Sequence, residues 1–375
     1  LEEKKIRVSD NRQPTTESLT RVPAPETNET PTASIPILKQ RSRLLRGIRD
    51  FFDQAGFFEV ETPLLSQDIV VDAWLEPFVA DWLPLGTDWS HHREPRFLQT
   101  SPEFAMKRLI AAGADAIYQL GKVFRNGEVG RMHNPEFTML EWYRRGDDLI
   151  ELMRFTESLV QQVFMVGAQW PSAASEVSAE GKSLVARVLD PAGFERLTYQ
   201  AAFLREIQCC PLSSSLESLQ AIAAERGLVP PPGLAVDDRD GWLNYLLAEL
   251  IEPLLGRKRP TFLTNYPVSQ AALAQLAPDG LTCERFELYI DGIELCNGYD
   301  ELTDAGALRA RIRGQAALRH AAGLRPLPDE SRLLRAMERG LPDCSGNALG
   351  VDRLVMLALG QKKLADVISF PFEIA

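Results

Sequence analysis

The chain has 375 residues, of which 45% are hydrophobic, 25% charged and 8% aromatic, the proportions of an ordinary globular protein with ample material for a core. Its 41 Lys and Arg stand against 52 Asp and Glu, and the net charge of −11 argues against broad phosphate-driven binding of nucleic acid while leaving room for a local basic patch. Apolar runs such as residues 354–359 are far short of a membrane span, the N-terminus carries no apolar signal core, and five cysteines without a CxxC favour neither a disulfide framework nor a zinc site. A cytoplasmic protein with free thiols is expected.

Residues 1–36 lack Phe, Trp and Tyr and are rich in Pro, Thr, Glu and Asn, so a flexible extension is expected ahead of a domain over 37–375. Over residues 38–55, Leu44, Leu45, Ile48, Phe51 and Phe52 share one helical face, with Arg41, Arg43, Arg46 and Arg49 between them, and Gly56 ends the helix. A short strand over 57–61 stops at Pro63. Residues 97–99 read as a strand and 103–112 as a helix. Two strands, 116–124 and 137–143, flank a polar loop, and 149–166 is an amphipathic helix. Residues 171–193, with repeated Ala, Ser, Glu and Gly, read as a surface insertion. A helical stretch over 199–255 is broken at Val229-Pro230-Pro231-Pro232-Gly233. Strands over 261–266, 283–290 and 292–297 and helices over 301–322, 329–339 and 351–359 complete the chain. Hairpins and loops join the strands without regular βαβ alternation, which points to an α+β fold around an antiparallel sheet. No GxGxxG follows a strand and no GxxxxGK[ST] occurs.

Three blocks stand out. The first is residues 41–65, RSRLLRGIRDFFDQAGFFEVETPLL, and the second is residues 100–144, TSPEFAMKRLIAAGADAIYQLGKVFRNGEVGRMHNPEFTMLEWYR. The third pairs residues 284–304, ERFELYIDGIELCNGYDELTD, with residues 346–357, GNALGVDRLVML. In order and together they resemble motifs 1, 2 and 3 of the class II aminoacyl-tRNA synthetases, and the lysyl-tRNA synthetase subgroup in particular. The resemblance covers most of residues 37–375 and implies the class II catalytic fold, an antiparallel β-sheet flanked by helices.

It also implies activation of a carboxylate by ATP with Mg2+. Arg125 and Arg353 are then the catalytic residues, Arg125 on the α-phosphate and the substrate carboxylate, Arg353 at the γ-phosphate end. Phe137 stacks on adenine, with Arg353 close to the other face of the base. Asn126, Gly127, Glu128, His133, Asn134, Glu294, Leu295 and Gly350 complete the ATP site, and Glu287 and Glu294 are the magnesium ligands. The residues alone allow duller roles. Either arginine could be a structural ion-pair partner, and Phe137 and Trp142 could be core aromatics. Glu287 and Glu294, seven apart, would lie on opposite faces of a regular strand, unless a turn at Asp291-Gly292 folds them into a hairpin.

For the amino acid, Glu103, Tyr143 and Glu301 match the lysine side-chain pocket of the subgroup, and two carboxylates with a phenol suit a buried ammonium. Ser101 and Pro102 shape the wall, while Glu141 and Asn297 match positions near the substrate amino and carboxylate groups. An exposed carboxylate at a helix start is the alternative for Glu301.

The lysyl-tRNA synthetases carry an anticodon-reading barrel ahead of motif 1. Here only the polar extension precedes it, so a freestanding catalytic domain is expected. The chain also resembles the elongation factor P–(R)-β-lysine ligase family, through residues 32–36, 133–144, 269–275 and 341–360. That resemblance implies adenylation of (R)-β-lysine and its transfer to a lysine ε-amine of elongation factor P, with tRNA and membrane not expected as partners. Ala348 stands where the synthetases have Gly and the ligases Ala, and its methyl group would shift the seat of the substrate amino group; neutral drift is the alternative. The pattern departs at Phe124-Arg125-Asn126-Gly127-Glu128, where the family has Glu in place of Gly127, and Glu128 replaces it if the loop shifts by one residue. Motif 1 implies a homodimer, with Leu44, Ile48, Phe51 and Pro63 either at its interface or in the chain's own core. A truncated lysyl-tRNA synthetase-like enzyme and a non-catalytic paralogue are the competing readings.

Overall fold

The computed structural model describes residues 29–86, 94–169 and 179–375, so most of the expected extension and residues 171–178 of the expected insertion lie outside the described residues. The first helix, α1 (Ile35–Gln54), takes Pro36 in its first turn and ends before Gly56, whose φ of 80° suits only glycine. Next come β1 (Phe58–Glu59), β2 (Leu65–Ser66), β3 (Val79–Trp82), β4 (Glu94–Leu98) and α2 (Glu103–Ala111). The long hairpin β5 (Ala116–Phe124) and β6 (Glu136–Arg145) precedes α3 (Leu149–Ala168), which Asp148 and Glu151 start with a reciprocal capping box. Then α4 (Ala179–Val188), β7 (Glu195–Thr198), α5 (Tyr199–Ile207), α6 (Leu216–Glu225) and α7 (Arg239–Leu246) follow. The chain closes with β8 (Thr261–Pro267), β9 (Thr282–Ile290), β10 (Ile293–Asp300), α8 (Ala305–Ala321), α9 (Arg332–Met337), β11 (Cys344–Gly350) and α10 (Val351–Ala358).

Among the described residues, eight strands form one sheet in the order β1-β5-β6-β11-β10-β9-β8-β7, antiparallel except for the edge pairs β1 with β5 and β7 with β8. A smaller sheet, β2-β4-β3, stands apart. This is the expected α+β architecture. Alternation in the central strands sends Leu140, Trp142, Leu288 and Leu349 into one core with Leu44, Ile48 and Phe52 of α1, Leu159 and Phe164 of α3 and Leu354 and Val355 of α10. That covers one face of the sheet and leaves the other for the site. A second core joins α5, α6 and α7 to β8 and β9, and a third joins α2, α8 and α9 to the small sheet.

Several elements depart from the sequence reading. The stretch 199–255 is three separate α-helices ending in one π-helical and one 3-10 turn, not one interrupted helix. The helix expected over 301–322 begins only at Ala305, because Asp304 caps it and accepts a hydrogen bond from the Ala307 amide at 2.6 Å. Glu301 instead extends the end of β10, bridging Ala274, with its amide donating to Cys344 O at 3.0 Å. Within 171–193, α4 buries Leu184 and Val188 in the first core. Leu44 and Ile48 are 2% and 0% exposed in the chain's own core, so they are not free for a dimer interface.

Candidate active site

The site is built on the open face of the central strands. Tyr143 pairs with Gly346, Glu141 with Ala348 and Met139 with Gly350, while Asn297 and Tyr299 of β10 face Ala348 and Gly346 from the other side. Cross-strand partners share a face, so Phe137, Glu141, Tyr143, Asn297 and Tyr299 stand around a floor of Gly346, Ala348 and Gly350. Small residues at every second position of β11 sink the middle of the sheet into a groove. A Cβ on Gly350 would meet nothing nearer than 3.7 Å, so the protein itself leaves space above that glycine.

The tight turn at Asp291-Gly292, both at positive φ, closes the β9–β10 hairpin. Glu294 then pairs with Tyr289, and a bulge at Leu295 adds one residue, so that Asn297 comes opposite Glu287. Glu287, Glu294 and Asn297 therefore share the site face despite their odd spacings. The Leu295 side chain turns into the core, and only its backbone borders the site.

At one end of the groove, the Arg125 amide donates to Pro135 O at 2.8 Å and the Asn126 amide to Glu76 O at 2.7 Å. Gly127, at φ 84°, turns the loop so that Glu128 comes back to 3.8 Å from Arg125. The Arg125 guanidinium lies over the Phe137 ring at 5.2 Å. Arg353 is held by Met132 O at 3.3 Å, Glu294 O at 2.8 Å and His133 Nε2 at 2.8 Å. Burial and the Arg353 charge lower the His133 pKa, so the neutral ring accepts that hydrogen bond. The Asn134 side chain is anchored to the backbone: Nδ2 donates to Glu136 O at 2.6 Å, and Oδ1 accepts from the Phe372 amide at 2.9 Å.

Beside it lies an acidic cluster. Glu287 accepts from Tyr266 and Tyr289 hydroxyls, both at 2.6 Å, and from Arg285 at 2.5 Å. Glu294 keeps 41% of its side chain open yet sits deep in the groove, where burial and the Glu287 charge raise its pKa to about 7. Glu252 joins through the Tyr289 hydroxyl at 3.1 Å and is likewise raised to about 7, by burial and then by Glu287. Sequence reading missed Glu252 because nothing in its helical context separates it from a surface carboxylate. Among the described residues no three His, Cys, Asp or Glu side chains form a ready-made metal cluster. The crowding of Glu294 by Glu287 nonetheless fits Mg2+, which takes one or two carboxylates and completes its shell with phosphate and water.

At the other end, Ser101 Oγ donates to Glu141 at 2.6 Å and accepts from the Glu103 amide at 3.0 Å, while the Tyr143 hydroxyl donates to Glu141 at 3.1 Å. Ser101 and Pro102 form the turn into α2. Glu141 is 1% exposed, and burial, then Glu103, raises its pKa to about 8. Glu103 and Glu301 are both buried and both pair with Lys107, the first at 2.5 Å. Lys107 escaped the sequence reading, although its i,i+4 spacing from Glu103 on a helix was the available signal. Asn297 Oδ1 and Arg125 Nε are buried without a hydrogen-bond partner, which suits groups waiting for a ligand.

An aromatic-backed arginine, a second arginine beside paired carboxylates and an amine pocket on one antiparallel sheet define a class of protein. Residues 31–373 match the family model of tRNA synthetases class II (D, K and N), and the chain belongs to this family. Among curated proteins it is 44% identical to the elongation factor P–(R)-β-lysine ligase of Vibrio cholerae, covering 91% of this chain and 97% of that one. It is 44% identical to the ligase of the same name from Salmonella typhi, over 92% and 97%, and 43% identical to that of Proteus mirabilis, over 91% and 96%.

Proposed function

We propose that this chain activates (R)-β-lysine with ATP and transfers it to a lysine ε-amine of elongation factor P. The observation that carries the reading is the similarity to the ligases over nearly their whole length, at a site where the arginines and carboxylates of the chemistry converge. Arg125 bridges the substrate carboxylate and the α-phosphate, neutralising both as they approach. A carboxylate oxygen attacks the α-phosphorus, the bond to pyrophosphate breaks, and Arg353 compensates the charge on the leaving group. The neutral ε-amine of the acceptor then attacks the acyl carbon, AMP leaves, and the amine loses a proton to solvent. Glu287 and Glu294 would hold Mg2+, which would supply charge neutralisation at the phosphates. Glu141 and Asn297 orient the substrate amine above the Ala348 methyl group.

Residues 37–375 act as one catalytic domain, since the three cores share the eight-stranded sheet or its flanks. All five cysteines are unpaired, which agrees with work in the cytoplasm, and no described helix is long and apolar enough to cross a membrane. The working form is a homodimer, for which exposed Phe58, Leu64 and Leu65 beside Pro63 offer an apolar edge. The test is the intact mass of unmodified elongation factor P after incubation with the protein, ATP and Mg2+, with (R)-β-lysine and L-α-lysine in parallel. A lysyl increment, larger with the β-isomer, is expected. No increment with either isomer overturns the reading.

A further inference from the structure

We propose that Lys107 is a specificity-determining residue, a resident cation that sets how deep the terminal ammonium of the substrate can sit. This rests on the reading above that the pocket takes a diamino acid. Lys107 leaves α2 one turn after Glu103 and reaches Glu301 at the end of β10, and its side chain is 2% exposed. A buried ammonium is costly unless it is paired and hydrogen-bonded. Two carboxylates more than offset that cost, and Glu103 and Glu301 hold Lys107 protonated against the opposing effect of burial.

The seat between Glu103 and Glu301 is thus already taken by the protein's own ammonium. An incoming ammonium has to stop one cation short of it, on the groove side. There Glu301 Oε1 lies 2.5 Å from the place of a Gly346 Cβ, against the Tyr143 ring. The charges agree with a single guest. Glu103, Glu301 and Lys107 sum to one negative charge, which one ammonium cancels, and Glu141 remains for the second amine. Lys107 therefore acts as the end stop of a ruler. The distance from Arg125, which takes the carboxylate, to that stop selects the length of the side chain.

The test measures binding of ornithine, lysine and homolysine by calorimetry, alongside ATP–pyrophosphate exchange, for the native protein and two variants. Lys107→Ala removes the stop, and the homolysine-to-lysine affinity ratio is expected to rise about ten-fold, the scale of one methylene in a fitted pocket, with the KM for ATP unchanged. Lys107→Arg keeps the charge but lengthens the stop, and the ornithine-to-lysine ratio is expected to rise. If Lys107→Ala does not fold, Lys107→Arg decides alone. Ratios that stay within two-fold of the native protein in a folded variant overturn the proposal, as does a native protein that binds none of the three. Native protein that binds lysine but exchanges no pyrophosphate counts against the functional reading and leaves the binding ratios to decide the role of Lys107.

Discussion

Arg41 of α1 and Asp352 of α10 form a 2.6 Å ion pair whose side chains are 12% and 3% exposed, and the second oxygen of Asp352 accepts the Thr138 amide of β6 at 2.9 Å. Arg41 also donates to the Thr138 hydroxyl at 3.0 Å. One carboxylate thus joins the first helix, the strand that carries Phe137 and Glu141, and the helix that carries Arg353. Arg41→Met strands a buried carboxylate, and a loss of roughly 3–5 kcal/mol in urea unfolding is expected. Asp352→Asn, which keeps the shape, should cost less. A loss below about 1 kcal/mol for Arg41→Met would place this pair among the weak surface bridges.

Gly346 is where the floor of the groove is least tolerant. A Cβ there would overlap the Tyr143 ring and stand 2.5 Å from Glu301 Oε1. Gly346→Ala should displace both side chains and raise the amino-acid KM at least about ten-fold, while the KM for ATP stays put. Pyrophosphate exchange at varied amino acid and varied ATP reads the two separately. Equal changes in both would mean that the strand itself had moved.

The loop at Gly127 brings Glu128 toward Arg125, which the proposed function places at the nucleotide. Gly127 sits at φ 84°, and Glu128 folds back to 3.8 Å from Arg125. Glu128→Ala is expected to raise the KM for ATP several-fold with the amino-acid KM unchanged. Unaltered ATP kinetics would remove Glu128 from the site.

What could be read from the residues follows from how local each signal is. The β5–β6 and β9–β10 hairpins announce themselves by alternation and by the Asp291-Gly292 turn, and the amphipathic α1 and α3 by their spacing. The strand β11 was missed because Cys344-Ser345-Gly346-Asn347-Ala348-Leu349-Gly350 has weak strand propensity. Its conformation comes from β6 and β10 pairing on both sides. The bulge at Leu295 was likewise invisible, yet it alone puts Glu294 and Asn297 on one face. Motif resemblance pointed to Glu103 and Glu301 but could not disclose that Lys107 already lies between them, since that is a contact between distant parts of the chain. Nor could it show that the Asn134 amide hydrogen-bonds to Glu136 and Phe372 of the backbone.

The buried carboxyls give stability a pH dependence whose sign is opposite to that of a salt-bridged acid. Burial, and then Glu103, lifts Glu141 from its ordinary 4.5 to about 8 in the folded chain. Between those values the folded state binds more protons than the unfolded chain, so stability falls as pH rises from about 4.5 and levels off above about 8. Glu252, raised to about 7, acts in the same direction. The melting temperature of the ligand-free protein should therefore drop between pH 5 and pH 8, and Glu141→Gln should flatten part of that slope, because its amide does not titrate. A melting temperature that climbs steadily to pH 8 would show that Glu141 is ionised in the folded protein well below pH 8. The same proton opposes capture of a substrate ammonium. Diamino-acid affinity is thus expected to strengthen as pH approaches 8, and calorimetry across that range checks it with no turnover required.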